Sequence, residues 1–568
     1  MEQEQPTTTQ GPGPAIACDE KADLAKTSTA ESPPSSKEAE TQEGDDDDDG
    51  KYPTGARLAL IGVALCLGVF LIALDNSIIA TAVPRISDEF NSLSDVGWYG
   101  SAYLLTTACL QLFFGKLYSY LPIKAVFIAA IGVFELGSLL CGVARNSVTL
   151  IVGRAVAGIG SAGVYSGALV ILAHSVPVAK RPLYSGFIGA MNGISSVAGP
   201  LLGGVFTDKA SWRWCFWINL PLGAITLAII VFLFASPKLD DPPADQTMSE
   251  MIKRIDPVGS LLSMCAVICL LLALRWGGNE YDWSNGRIIA LLVLFGVLLV
   301  AFLYMQWRQG ENATVPPRLM GDRTVYASCL YAFGIGSSSF VLAYYLPVWF
   351  QAVQEVPAFD SGIRTLPLLL TVAVAAILGG ALVTALGYYA PIMLLGTALM
   401  SVGAGLLTTL RPDATAAHWI GYQAIYGIGV GLGIQQPMIA VQTALDMKDI
   451  PTASCMIIFF QTMGGAIFIS VAQSVFANQL SLSLRQNVPS LDAGALLAAG
   501  ATNIRQIVPL ALLDGVIAAY NSALTRSFFV TLALAALSVL GGVFIPWVNI
   551  KKKKKTDDDG KSADEATS

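Results

Sequence analysis

The chain has 568 residues, 54% of them hydrophobic and only 13% charged, with a formal net charge of −7. A water-soluble core cannot hide that share of apolar side chains, so soluble classes are excluded and an all-α polytopic membrane protein is expected. Much of the acid lies in the tails, so the net charge does not point to nucleic acid. Nine cysteines are scattered, with no spacing of a zinc or redox site, and the two histidines, His174 and His418, fall at the ends of apolar segments. No metal or cofactor is expected. There is no GxxxxGK[ST] string for ATP and no convergent Ser, His, Cys and acid grouping, so neither an ATP-driven pump nor an enzyme is expected.

Residues 1–55 are rich in Pro, Ser, Thr, Glu and Gln and close on the acidic run Asp45 to Asp49. Such a segment cannot bury a core, so a disordered tail is predicted. Fourteen apolar segments long enough to cross a bilayer follow. They run near 58–83, 97–118, 124–144, 148–173, 183–206, 215–236, 257–275, 287–307, 325–350, 363–386, 390–410, 418–442, 452–477 and 527–549. The spans divide the chain into a six-helix bundle at 56–240, two inserted helices within 241–322, and a second six-helix bundle at 323–550. A long link is expected at 478–526, its partly apolar middle (Ala495 to Ala501, Ile507 to Ala519) lying as a surface helix, and a charged tail at 551–568.

With an even number of spans both termini share a side. Placing them in the cytoplasm puts 22 Lys and Arg on that side and 11 opposite, with Arg154 alone inside a span. This agrees with the positive-inside bias, and Lys551 to Lys555 anchor the last span on an anionic leaflet. Asn312-Ala313-Thr314, the one glycosylation-type sequon found, is then cytoplasmic and unused.

Gly186 to Gly204, GFIGAMNGISSVAGPLLGG, holds six glycines and Pro200 inside one span. In water such a helix would be weak; in a bilayer these residues are tolerated where a neighbouring helix packs closely against them. A kinked helix pressed on a partner is predicted.

A charge inside a span costs a few kcal/mol on insertion scales, which makes it a functional candidate. Asp75 lies about 12 Å from the outer end of the first span and Arg154 about 9 Å from the outer end of the fourth, at ~1.5 Å per residue. Equal depth makes a joint hydrogen-bonded network plausible, either as a proton-coupling pair or as a structural pair holding two helices in register. Asp514 and Arg505 read as solvated charges of the outer link.

These strings resemble those of the fourteen-span drug:proton antiporters of the major facilitator superfamily. Leu74-Asp75 with Ile78, Ala80, Ala82 and Pro84 is similar to their first-helix signature. Leu150, Arg154, Gly158 and Gly160 match the fourth-helix motif, with Ala157 where glutamine is usual. Gly186, Gly199, Pro200, Gly203 and Gly204 match the antiporter motif of the fifth helix, with Ser195 where glycine is usual. Gly115, Leu117 and Lys124 match the cytoplasmic loop motif, with Ser119 replacing its aspartate and Pro122 its second glycine. Residues 361–367 and 464–480 look like the fungal branch that exports secondary metabolites.

The resemblance implies two six-helix bundles plus two extra helices, fourteen spans in all, rocking about a midplane cavity in alternating access. It also implies exchange of protons, through Asp75 and Arg154, for small amphipathic organic molecules such as toxins, secondary metabolites or drugs, in the plasma membrane or else the vacuolar membrane. Asn76, Tyr344, Tyr345, Gln435, Gln436, Gln442 and Gln461 are the candidate cavity lining, because an amide or phenol facing lipid is costly. The same residues also suit interhelical hydrogen bonds. Carriage of siderophores or basic amino acids on the same fold, and a non-transporting receptor or scaffold, are the alternatives. Oligomeric state is not readable from the sequence.

Overall fold

A computed structural model of the chain describes residues 52–90, 92, 95–235, 254–278, 281–488 and 508–551. The expectations for the two tails, for Arg505 and for the Ala495–Ala501 stretch lie outside them. Among the described residues fourteen long helices follow in order: α1 (Gly55–Phe90), α2 (Val96–Tyr120), α3 (Ile123–Gly142), α4 (Ser147–Ser175), α5 (Arg181–Lys209), α6 (Trp214–Leu233) and α7 (Pro257–Trp276). They continue as α8 (Gly286–Gln309), α9 (Arg323–Ala352), α10 (Phe359–Leu386), α11 (Ala390–Leu407), α12 (Ala416–Ala444), α13 (Ile450–Asn487) and α14 (Leu510–Phe544). All but α2 are long and apolar enough to cross a membrane. α2 carries Thr106, Thr107, Gln111 and Lys116, and three of these bond to α4: Thr106 Oγ1 to Ala155 O, Thr107 Oγ1 to Gly158 O, and Gln111 Nε2 to Ser166 Oγ. Its polar groups are satisfied by protein, which a bilayer requires.

Short polar residues start several helices. Asn146 Oδ1 accepts from Thr149 N at the head of α4, and Asp322 Oδ1 accepts from Thr324 N and Val325 N at the head of α9. Each satisfies backbone donors that the first turn leaves free.

The helices build two six-helix bodies, α1–α6 and α9–α14, with α7 and α8 as an added pair. α8 exposes Val293, Val297, Val300 and Leu303, and packs on α7, which touches α2 and α13. An apolar helix with so little buried surface is a lipid-facing one.

Two expectations need correction. The link at 478–526 is far shorter, because α13 runs on to Asn487 and α14 begins at Leu510. The later part of the predicted surface helix, from Leu510 to Ala519, is instead the start of α14, where Val516, Ala519 and Tyr520 are buried while Asp514 is exposed. The apolar face at 513, 516, 520 and 524 has helical spacing and packs into the second body, so the extra length is set by burial and not by bilayer thickness. The last span correspondingly ends at Phe544 and not at 549.

Candidate functional site

Glycines bring α3 and α4 close enough to bury a charge. A Cβ at Gly137 would lie 2.3 Å from Ala157 N, and one at Gly160 would lie 2.3 Å from Phe134 N, so only hydrogen fits at these crossings. Ala157 thus faces the α3 backbone, where a glutamine amide has no room. Beside this contact Arg154 is fully buried. Its Nε donates to Tyr99 O at 2.8 Å, its Nη1 donates to the Asp75 carboxylate, and its guanidinium lies 4.5 Å from the Tyr103 ring centre.

Asp75 is equally buried. Its second oxygen, Oδ1, accepts from Asn219 Nδ2 at 3.1 Å, and the same amide donates to Ser138 Oγ at 3.0 Å. Five helices, α1, α2, α3, α4 and α6, therefore supply one polar knot inside the first body. Low surrounding dielectric strengthens the attraction, and removing either partner alone leaves an uncompensated charge, typically worth about 3–5 kcal/mol.

A second set of contacts joins the two bodies, and it gathers at the end bearing Gly55 and Phe544. A Cβ at Gly186 would lie 2.6 Å from Ala376 O, and one at Gly193 would lie 2.9 Å from Leu369 O, both on α10. A Cβ at Gly115 would lie 3.0 Å from Cys455 Cβ on α13, and Ser119 Oγ meets Thr452 Oγ1 at 3.0 Å. Arg181 Nη1 donates to Gln442 O at 3.0 Å, while Gln442 Nε2 reaches Leu169 O at 3.4 Å. Val325, Cys329, Met438, Ala453 and Met456 of the second body lie in the core of the first at this same end. At the opposite end polar groups pair within their own body: Trp212 Nε1 and Arg213 with Glu89, and Trp349 Nε1 with Asn521.

The motif residues separate by what they touch. Gly199 packs on Ser77 and Gly203 on Thr81 and Ile78 of α1, whereas a Cβ at Gly204 would meet nothing within 4 Å. α5 continues as helix through Pro200. Ser195, in the place of a glycine, donates from its hydroxyl to Phe70 O at 3.0 Å and so fastens α5 to α1. Lys124 Nζ donates to Val231 O and Phe234 O at 2.7 and 2.8 Å, which caps the C-terminal end of α6.

Of the candidate lining residues, Asn76 and Tyr344 are exposed. Tyr345 is buried and donates to Gln473 Oε1 at 2.7 Å; Gln436 Nε2 bonds back to Leu432 O at 2.8 Å. Gln442 joins the two bodies, as above. These three hydrogen-bond between or within helices, while the amide oxygens of Gln436 and Gln442 are buried without a partner among the described residues. Gln435 is buried and packs against Gly189 of α5. Gln461 packs on Gly336 through its backbone and Cγ, half-buried. A cavity of about 420 Å³ lies within the first body among α1, α4 and α5, lined by Gly62, Cys66, Phe70, Tyr184 and Met191.

The sequence profile of the Major Facilitator Superfamily matches residues 65–469. The chain belongs to the major facilitator superfamily. This major facilitator chain is 52% identical over 505 residues to the MFS-type efflux pump MFS1 of Arthroderma benhamiae, covering 89% of this chain and 94% of the relative. It is 49% identical over 502 residues to the efflux pump aflT of Aspergillus parasiticus, covering 88% and 98%. Among solved structures, the proton:xylose symporter XylE shares the fold at a TM-score of 0.58 and 12% identity, covering 87% of this chain and 97% of that one. The protein is thus a multi-pass membrane transporter of the major facilitator type.

Sequence reasoning missed four residues of this transporter's polar framework. Asn219 and Ser138 carry no charge and sit in ordinary apolar spans, so only their meeting with Asp75 singles them out. Arg181 was counted as a loop charge, yet it is buried and joins the bodies. Glu135 was readable as an acid in the third span and was passed over.

Proposed function

We propose that this major facilitator protein exports small amphipathic organic molecules, such as toxins, secondary metabolites or drugs, in exchange for protons. The buried Asp75–Arg154 pair with Asn219 carries the proton half of this reading, since an acid so enclosed can change its protonation only when the helices around it move. Support for the export half comes from the printed names of relatives near 50% identity, efflux pumps over most of their length. The two bodies, residues 56–240 and 323–550, act as the rocking units, with the 241–322 insertion riding on α2 and α13.

Both termini face the cytoplasm and the membrane is the plasma membrane, with the vacuolar membrane as alternative. In that orientation the described conformation is closed towards the cytoplasm by the α5–α10 and α2–α13 contacts. Each cycle separates them to admit cargo.

Flux in sealed vesicles tests the reading. Inverted vesicles carrying the protein should accumulate the amphipathic dye rhodamine 6G when a pH gradient is imposed and stop when it is collapsed. Gradient-independent accumulation would overturn the proton half, and no flux of any probe from a panel of toxins would overturn the export half.

A further inference from the structure

A second carboxyl lies beside the polar knot and takes no part in it. Glu135 projects from α3 towards α6, both carboxyl oxygens are buried, and neither has a hydrogen-bond partner among the described residues. Gly223 makes the space: a Cβ there would lie 1.7 Å from Glu135 Oε1. One turn along the same interface Ser138 meets Asn219, and Asn219 Oδ1 is also buried without a partner. Residues 135 and 138 on α3 thus face 223 and 219 on antiparallel α6.

Glu135 thus offers two buried acceptors and Asn219 a third one turn away, and no donor reaches them among the described residues. A carboxylate buried without a donor is strongly disfavoured, whereas a protonated acid is itself a donor. Asp75 of α1 is the charged group whose field reaches Glu135. Arg154 pairs with Asp75 through Nη1 and with Tyr99 O through Nε, its buried Nη2 meets no acceptor, and Lys124 is held at the end of α6; among the described residues no ion pair joins either cation to Glu135.

We propose that Glu135 is a second proton-carrying group of this transporter, protonated in the described conformation and sharing one negative charge with Asp75. The inference rests on the proton-exchange reading above. When helix movement opens the α3–α6 face to water, the Glu135 O–H bond breaks and the proton leaves to solvent. The carboxylate that remains is placed to repel Asp75, which then takes up a proton from water as its pairing with Arg154 loosens. Two interacting acids of this kind titrate as a pair. Asn219 is the positioning residue between them, its amide held by Asp75 and Ser138.

The test uses wild type, Glu135→Gln and Asp75→Asn, each purified whole and reconstituted in liposomes. Glutamine has the shape of the neutral acid, so Glu135→Gln should keep the thermal stability of wild type. Infrared spectra near neutral pH should show a protonated-carboxyl C=O band in wild type and in Asp75→Asn that is absent from Glu135→Gln. Driven by a pH gradient, uptake of rhodamine 6G should fall about tenfold or more in Glu135→Gln, while downhill dye exchange stays near wild type. Identical infrared spectra for wild type and Glu135→Gln at every pH would overturn the proposal, and so would undiminished gradient-driven uptake in Glu135→Gln. If wild type itself ignores the gradient, the proton-exchange reading falls, and the infrared band still decides whether Glu135 holds a proton. A Gly223→Ala variant, which must displace the Glu135 carboxyl, should shift that band; an unchanged band counts against the assignment.

Discussion

Arg154 on α4 donates to Asp75 on α1, and both side chains are fully excluded from solvent. The pair lies beside the close α3–α4 glycine crossings and is completed by Asn219, so it is a built arrangement and not a chance encounter of two charges.

That arrangement separates a structural role from a functional one. Asp75→Asn or Arg154→Gln alone should lower stability by about 3–5 kcal/mol, because each leaves one charge buried and unpaired. The double variant Asp75→Asn/Arg154→Gln should regain most of the melting temperature yet show no gradient-driven flux. Thermal melts in detergent with vesicle transport check this; recovered flux in the double variant would mean that the pair only holds α1 and α4 together.

The two bodies meet through hydrogens on α5. Gly186→Val should abolish transport, since even a Cβ would stand 2.6 Å from Ala376 O and the closed end could not form. Gly204→Ala should transport as wild type and shift stability by less than about 0.5 kcal/mol, there being nothing near it to displace. Vesicle flux on the two variants, normalised to expression, gives the contrast.

Closure at that end can be trapped. Ser119 and Thr452 touch through their hydroxyls at 3.0 Å across α2 and α13. Ser119→Cys/Thr452→Cys in a Cys455→Ser background should form a disulfide under mild oxidant, stop flux, and recover it on reduction. Free cross-linking with transport intact would show that these helices do not part during the cycle.

Asp256 fixes the added helix pair. It holds a left-handed backbone at φ 53°, and its carboxylate accepts from Gly259 N, Gln309 Nε2, Thr314 N and Thr314 Oγ1 at 2.7 to 2.9 Å. Asp256→Ala strands those donors and keeps the strained φ, so a loss of about 2–4 kcal/mol is expected. Limited proteolysis at the α8–α9 turn and thermal melts read it out. The same contact buries Thr314, which ties down the Asn312 sequon.

The motif strings on α1, α4 and α5 were legible because each needs particular residues at fixed spacing. The polar cavity was less so. Tyr345, Gln436 and Gln442 look like Asn76 and Tyr344 on paper, but an amide or phenol in a span takes whichever acceptor the neighbouring helix offers, and sequence does not say which helix that is. The long link failed for a related reason: bilayer thickness sets a minimum span, and burial against a partner let α13 and α14 run past it.

By itself the sequence determined the class, the apolar segments and the places of Asp75 and Arg154 within two of them, because hydropathy and a rise of ~1.5 Å per residue are local properties. Only the tertiary structure decided which small and neutral residues matter. Asn219, Ser138 and Glu135 acquire their meaning from crossings of α1, α3 and α6, and a crossing is fixed by contacts between residues that are far apart along the chain.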